Sequence, residues 1–149
     1  MRLSAFAAFA LIAPSSLDAQ TAAPAVDYAT ATPLSGSWVY SLAADGSQAT
    51  FVDASAQPRV TIHCARATRR ISISKPAGAA APSLYVWTSS LSRTLPASFN
   101  PTAARLTADL AAFDPLLDGI AFSRGRIAIA VSTTPALVVP AWPESARVI

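Results

Sequence analysis

The chain has 149 residues, of which 52% are hydrophobic and only 13% are charged, and its formal net charge is +3. This length predicts a single domain. The single cysteine and single histidine exclude an internal disulfide framework, a cysteine/histidine zinc site and a multi-histidine metal site.

The first 19 residues have the pattern of a secretory signal peptide. Arg2 supplies a short positive region, and an apolar run extends from Leu3 to Ala13. This run is shorter than the about 20 residues that a membrane-spanning helix needs. Cleavage is expected after Ala19, with Ala23 as the alternative. We therefore expect the mature chain in the periplasm or outside the cell.

The mature chain is expected to begin with a lead segment over residues 20–34 that is flexible or loosely docked, because this stretch has small residues and no periodic pattern. A single β-rich domain is predicted over residues 35–149. In this domain the apolar residues mostly recur at every second position, which is typical of strands that bury one face. No second apolar run approaches membrane length, so we expect no transmembrane span in the mature chain.

The first half of the domain is predicted to form two hairpins. Four segments have the alternating apolar pattern of strands: residues 38–42, 49–52, 60–64 and 69–74. Asp45-Gly46 is a tight-turn signal between the first two segments. A short polar turn joins the other two. Residues 75–83 are rich in alanine, proline and glycine, and this composition predicts a loop.

The second half is predicted to contain further strands and two short helices. The strands are expected at residues 84–88, 103–110, 126–131 and 136–139, with residues 92–95 as a candidate partner of the first. Residues 103–113 fit both helical and strand spacing, and a strand to about Leu110 is favoured. Asp114-Pro115 predicts a helix start, because Asp114 can cap free amides and Pro115 suits the first helical position. Pro143 begins the second helix.

About eight short strands with two late helices predict a mainly β fold, either an antiparallel sandwich or an open barrel. The same strand pattern bears on chemistry at His63 and Cys64. Adjacent strand residues point to opposite faces, so without a β-bulge these two cannot form a thiolate–imidazole pair. Cys64 is expected in the core, and the alternative is a disulfide to another chain or to a cysteine beyond this sequence. The sequence has no Gly-x-Ser-x-Gly nucleophile motif, no phosphate-binding loop, no dinucleotide-binding fingerprint and no His-Glu-x-x-His zinc motif. We therefore predict no catalytic residue, cofactor or metal site.

Two arginine clusters are the candidate binding residues. Arg124 and Arg126 flank a glycine at the predicted helix–strand junction, where they either stabilise the helix end or bind a small anion. Arg66, Arg69 and Arg70 lie on a predicted hairpin tip. They form either a solvated turn or a contact for an acidic partner, lipopolysaccharide or an anionic membrane. Aromatic residues do not interleave with these arginines, so nucleic acid is not expected as a partner.

Four motifs together resemble a known kind of protein: Gly36-Ser37-Trp38 at a strand start, residues 60–64, Leu116-Leu117 in a helix and residues 126–129. They are similar to small periplasmic proteobacterial proteins of the VasI type, accessory to type VI secretion, and more distantly of the invasion-associated-locus-B type. Residues 114–118 and 121–126 also look like secreted alphaproteobacterial proteins of uncharacterised function. The resemblance covers about residues 36–149 and offers no catalytic residues. It implies a disulfide between the strand cysteine, Cys64, and a cysteine near the C-terminus, so we expect either a natural chain that continues beyond Ile149 or a free thiol.

The sequence therefore predicts a non-enzymatic periplasmic or secreted β-domain that binds a protein partner or an envelope component. The alternative is a binder of a small anion or ligand that uses Arg124 and Arg126. A secreted hydrolase with a non-standard site is the lesser alternative.

Overall fold

The computed structural model describes residues 27–28, 30–132 and 134–149, so the predicted signal peptide lies outside the described residues. The described chain forms ten strands and two helices. The strands in chain order are β1 Gly36–Ala43, β2 Gly46–Asp53, β3 Pro58–Ala65, β4 Arg70–Pro76, β5 Ser83–Trp87, β6 Ser92–Pro96, β7 Ser98–Asn100, β8 Arg105–Ala111, β9 Arg126–Ala130 and β10 Leu137–Pro140. The helices are α1 Pro115–Ala121 and α2 Pro143–Ala146. In the part of the chain that the structure describes, no helix has the length and apolar character that crossing a membrane takes.

The strands form two antiparallel sheets. The first sheet has six strands in the order β1-β2-β3-β4-β8-β7, and the second has four in the order β10-β9-β5-β6. Neither sheet closes into a barrel within the described residues. The prediction of a mainly β fold with antiparallel sheets and two late helices is confirmed.

Alternation along the strands builds the core between the two sheets. In β3, Val60 and Ile62 are buried while Thr61 on the other face is only partly covered. In β5 of the second sheet, Leu84 and Val86 are fully buried. These side chains belong to one hydrophobic cluster that draws on both sheets and on α1. The sheets are therefore the two layers of a sandwich, and α1 packs on the shared core.

The predicted hairpin at Asp45-Gly46 forms, but the glycine is needed for a different reason than turn geometry. β1 and β2 pair up to Ala43 and Gly46, so Ala44 and Asp45 make the loop. A Cβ on Gly46 would lie 1.8 Å from the carbonyl oxygen of Cys64 in β3. Close approach of a third strand therefore demands glycine at this position.

The structure corrects the predicted loop over residues 75–83 and adds a strand. Lys75 and Pro76, which composition assigns to that loop, extend β4, where Lys75 pairs with Leu106 of β8. Cross-strand hydrogen bonding to β8, which composition does not report, keeps these residues in the sheet. The added strand is β7, which pairs with β8 at the sheet edge.

Candidate functional site

Helix α1 begins at Asp114-Pro115, as the sequence predicts. The backbone of Asp114 is extended, and its Oδ1 accepts a hydrogen bond from the Leu116 amide at 2.9 Å. The Arg93 guanidinium of β6 donates to the same carboxylate. Desolvation raises the pKa of Asp114, but the bonds from Leu116 and Arg93 outweigh it and hold that pKa below its ordinary value. The cap is therefore tied to the second sheet as well as to the helix.

A groove of about 410 Å³, lined by both apolar and acidic side chains, lies along α1, beside α2. Phe113 precedes the helix cap and is 92% exposed, while Phe122 follows the helix and is 78% exposed. The groove between them is lined by Leu117, Asp118 and Ile149 among others. We call this feature the α1 groove. Both phenylalanines fall outside the buried stripe of the helix, so the core leaves them uncovered.

The α1 groove was not a predicted site. The available signal was the position of Phe113 and Phe122, one just before and one just after a seven-residue helix whose apolar stripe is already complete. Two carboxylates, Asp114 and Asp118, line the groove, and no cation does so among the described residues. Asp118 is exposed and makes no ion pair within the described chain.

The arginines Arg66, Arg69 and Arg70 are all exposed at the turn between β3 and β4, which we call the arginine turn. Arg69 adopts a positive φ of 51°, as one residue of a tight turn. Among the described residues these arginines form no ion pair. Arg70 pairs with Ala111, which ends β8 shortly before the α1 groove begins. The arginine turn and the α1 groove therefore lie at the same end of the first sheet.

The structure gives Arg124 and Arg126 different surroundings. The Arg126 guanidinium donates to the carbonyl oxygens of Tyr28, at 3.3 Å, and of Ala31. The Tyr28 hydroxyl donates in return to the Arg126 carbonyl. Arg124 is exposed, and its backbone amide donates to Ser89 Oγ at 3.0 Å. Arg126 thus binds the described part of the lead segment, whereas the Arg124 side chain lies at the surface.

His63 and Cys64 lie on opposite faces of β3, as the strand alternation predicts. Cys64 is partly buried against the core and has a free thiol. On the outer face, His63 Nε2 lies 2.9 Å from Asp45 Oδ1. The hydrogen bond from His63, more than its charge, lowers the pKa of Asp45. The histidine therefore joins β3 to the β1–β2 loop, and the thiol packs on the other side.

Comparison with protein-family profiles, curated proteins and solved structures finds no match to this chain. The resemblance to VasI-type and invasion-associated-locus-B-type proteins therefore stays a prediction. Within the described residues, no three His, Cys, Asp or Glu side chains are grouped as metal ligands.

Proposed function

We propose that this chain is a non-enzymatic periplasmic or secreted β-domain that binds a protein partner through the α1 groove. The observation that carries the proposal is the exposure of Phe113 and Phe122, at 92% and 78%, on either side of one short helix. The two side chains together expose roughly 300 Å². That area alone reaches the about 300–600 Å² of the largest apolar patch on a typical monomer. Aromatic anchors beside a pocket are the usual energetic centre of a protein interface.

The charges at this end of the molecule favour a protein over a lipid surface or a polyanion. Asp118, which lines the groove and has no ion pair in the described chain, would repel anionic headgroups. The arginine turn, at the same end of the first sheet, adds positive charge. A partner surface that matches both signs is typical of a protein interface. We infer that the partner places an apolar side chain in the groove beside a Lys or Arg that reaches Asp118.

The alternative anion site at Arg124 and Arg126 has less support. An anion there would compete with the carbonyl oxygens of Tyr28 and Ala31 for the Arg126 guanidinium. Losing those bonds would also weaken the attachment of the lead segment to β9, which would then depend on the Tyr28 hydroxyl. The α1 groove requires no such rearrangement, because both phenylalanines already face solvent.

The test compares matched variants for capture of a partner from an envelope extract. Phe113→Ser/Phe122→Ser should reduce the amount captured by about 10-fold or more, with no loss in the unfolding midpoint, because both rings are exposed. Val39→Ser is the control, since Val39 is a half-exposed apolar residue on the outer face of β1. It should capture as much as the wild type. Asp118→Lys should reduce the amount of partner captured, because it reverses the charge that we expect a Lys or Arg of the partner to contact.

Two further measurements identify the class of partner. Sedimentation of the purified chain over a range of concentrations should show a monomer, and vesicles rich in phosphatidylglycerol should not bind it. A dimer abolished by Phe113→Ser/Phe122→Ser would place a second copy in the groove and refute a different protein partner. The proposal also fails if the folded wild type captures nothing above background, or if the double variant captures as much as Val39→Ser.

A further inference from the structure

A second pocket lies at the opposite end of the first sheet from the arginine turn. It has a volume of about 220 Å³ and is bounded by the start of β3, the end of β4 and residues 134–137. Lys75 lines it, whereas Arg70 begins the same strand. Five residues at about 3.3 Å each separate these two positions by about 17 Å. The pocket is therefore distinct from the α1 groove.

Lys75 is the central polar group of this pocket. It is the only lysine of the chain and is 8% exposed. Its Nζ lies 3.5 Å from Thr134 Oγ1, which is long for a hydrogen bond. No carboxylate in the described chain pairs with it. A buried ammonium group has three donors and is costly without a counter-ion.

Arg59 adds a second cation to the same pocket. It pairs with Asp53, with 3.1 Å between Nε and Oδ2, so its own charge is balanced. The Lys75 charge is not balanced in this way by the described residues. Burial first, and repulsion from Arg59 second, lower the pKa of Lys75. The pocket therefore carries about one excess positive charge, which a single anionic group would compensate.

The remaining lining sets the size and character of a ligand. The hydroxyl of Thr134 supplies one polar group, and Pro76, Pro135, Ala136 and Leu137 supply apolar surface. A volume of about 220 Å³ is below the about 300–1,000 Å³ of pockets for drug-sized ligands. The ligand that fits this lining is small, has one negative charge and has a short apolar body.

We propose that this pocket binds a small monocarboxylate. Its carboxylate accepts hydrogen bonds from Lys75 Nζ and the Thr134 hydroxyl, and its apolar chain contacts Pro135 and Leu137. Arg59 contributes electrostatic attraction from the rim. This site goes beyond the proposed protein-binding function and does not depend on it, because no residue of the α1 groove takes part.

The experiment uses butyrate as the probe and the single lysine as the reporter. With ¹³C-labelled lysine, the side chain of Lys75 gives the only lysine signal. Butyrate added at constant ionic strength, up to about 50 mM, should shift this signal with saturation and a Kd of about 1 mM or tighter. Butyramide, which has the same shape without the charge, should leave the signal in place.

Variants distinguish butyrate binding in this pocket from nonspecific attraction of butyrate to a positively charged protein. Lys75→Met should weaken butyrate binding about 10-fold or more, measured from the butyrate resonances. Arg66→Met removes one charge on the arginine turn and should bind butyrate like the wild type. Thr134→Val should also reduce the affinity for butyrate. Because Thr134 is exposed, this variant should fold normally, and it tests the pocket even if Lys75→Met does not fold.

Four results would overturn the proposal: no saturable shift with butyrate, an equal shift with butyramide, wild-type affinity in Lys75→Met, or tighter binding of inorganic phosphate than of butyrate. The last result would assign the pocket to a phosphate group. Loss of butyrate binding in Lys75→Met with retained capture of a protein partner would support this site. Loss of partner capture in Phe113→Ser/Phe122→Ser with unchanged butyrate binding would likewise show that the two sites function independently.

Discussion

Replacing Asp114 by alanine should lower the free energy of unfolding by about 1–3 kcal/mol. The 2.9 Å bond from the Leu116 amide is the N-cap bond of α1, and caps of this kind contribute about 0.5–2 kcal/mol. Arg93 is 39% exposed, so solvent screens its ion pair with Asp114, which adds roughly 0.2–1 kcal/mol. Since Asp114 caps α1, the same change should also loosen the helix that positions Phe113 and Phe122 on the α1 groove.

Urea unfolding followed by tryptophan fluorescence measures this loss, with the urea dependence of the free energy expected to stay constant. Asp114→Asn keeps a side-chain acceptor for the cap and loses only the charge, so it should lose less than Asp114→Ala. Asp118→Ala removes an exposed carboxylate from the same turn and should cost at most about 0.5 kcal/mol. The reasoning is refuted if Asp118→Ala costs as much as Asp114→Ala, or if the two Asp114 variants are equally unstable.

The contribution of the Asp114 charge should also depend on pH. Its pKa in the folded chain lies below the ordinary value of 3.8, because the bonds from Leu116 and Arg93 outweigh desolvation. A carboxyl group with a depressed folded pKa stabilises the fold above its unfolded pKa and loses that contribution as pH falls through the folded pKa. The stability gap between wild type and Asp114→Asn should therefore be constant at neutral pH and shrink below pH 3.8. Urea unfolding across this range checks it, and a gap that widens in acid would contradict it.

Two further predictions concern the backbone and the lead segment. Gly46→Ala should cost about 3 kcal/mol or more, because its Cβ would lie 1.8 Å from a backbone carbonyl of β3. Gly78→Ala has no atom within 4 Å and should change stability by at most about 0.5 kcal/mol in the same urea assay; equal costs would contradict the close-approach argument. Arg126→Ala should speed hydrogen exchange of the Leu34 amide, which bonds to β10, about 10-fold. Arg124→Ala should not, and equal exchange in the two variants would show that Arg126 does not retain the lead segment.

Much of the fold could be predicted because its signals are local. Alternation at residues 60–64 and 69–74 specifies both a strand and its buried face, whatever the partner strand is. The start of α1 depends on Asp114 and Pro115, which act within one helical turn. The two arginine clusters could likewise be recognised by residue type alone, although their contacts could not.

The features that suggest function were harder to predict. Phe113 and Phe122 look like core residues in sequence, and their exposure follows from how α1 packs. Arg126 looks like a surface cation, yet it binds carbonyl groups about 95 residues earlier in the chain. Lys75 is a further case: a lysine is expected at the surface, yet this one is buried, because its side chain lies beside Thr134, about 60 residues later in the chain. In each case the decisive neighbour is distant in sequence.

The amino-acid sequence by itself determined the class of the fold: short strands with one buried face, tight hairpins and a capped helix after residue 114. Tertiary structure decided the pairing of β4 with β8, which passes over β5, β6 and β7 along the chain. That pairing keeps Lys75 and Pro76 in the first sheet, and the approach of β3 explains Gly46. The physical reason is that side-chain period and capping act over a few residues, whereas strand order and exposure depend on contacts between segments far apart in the chain.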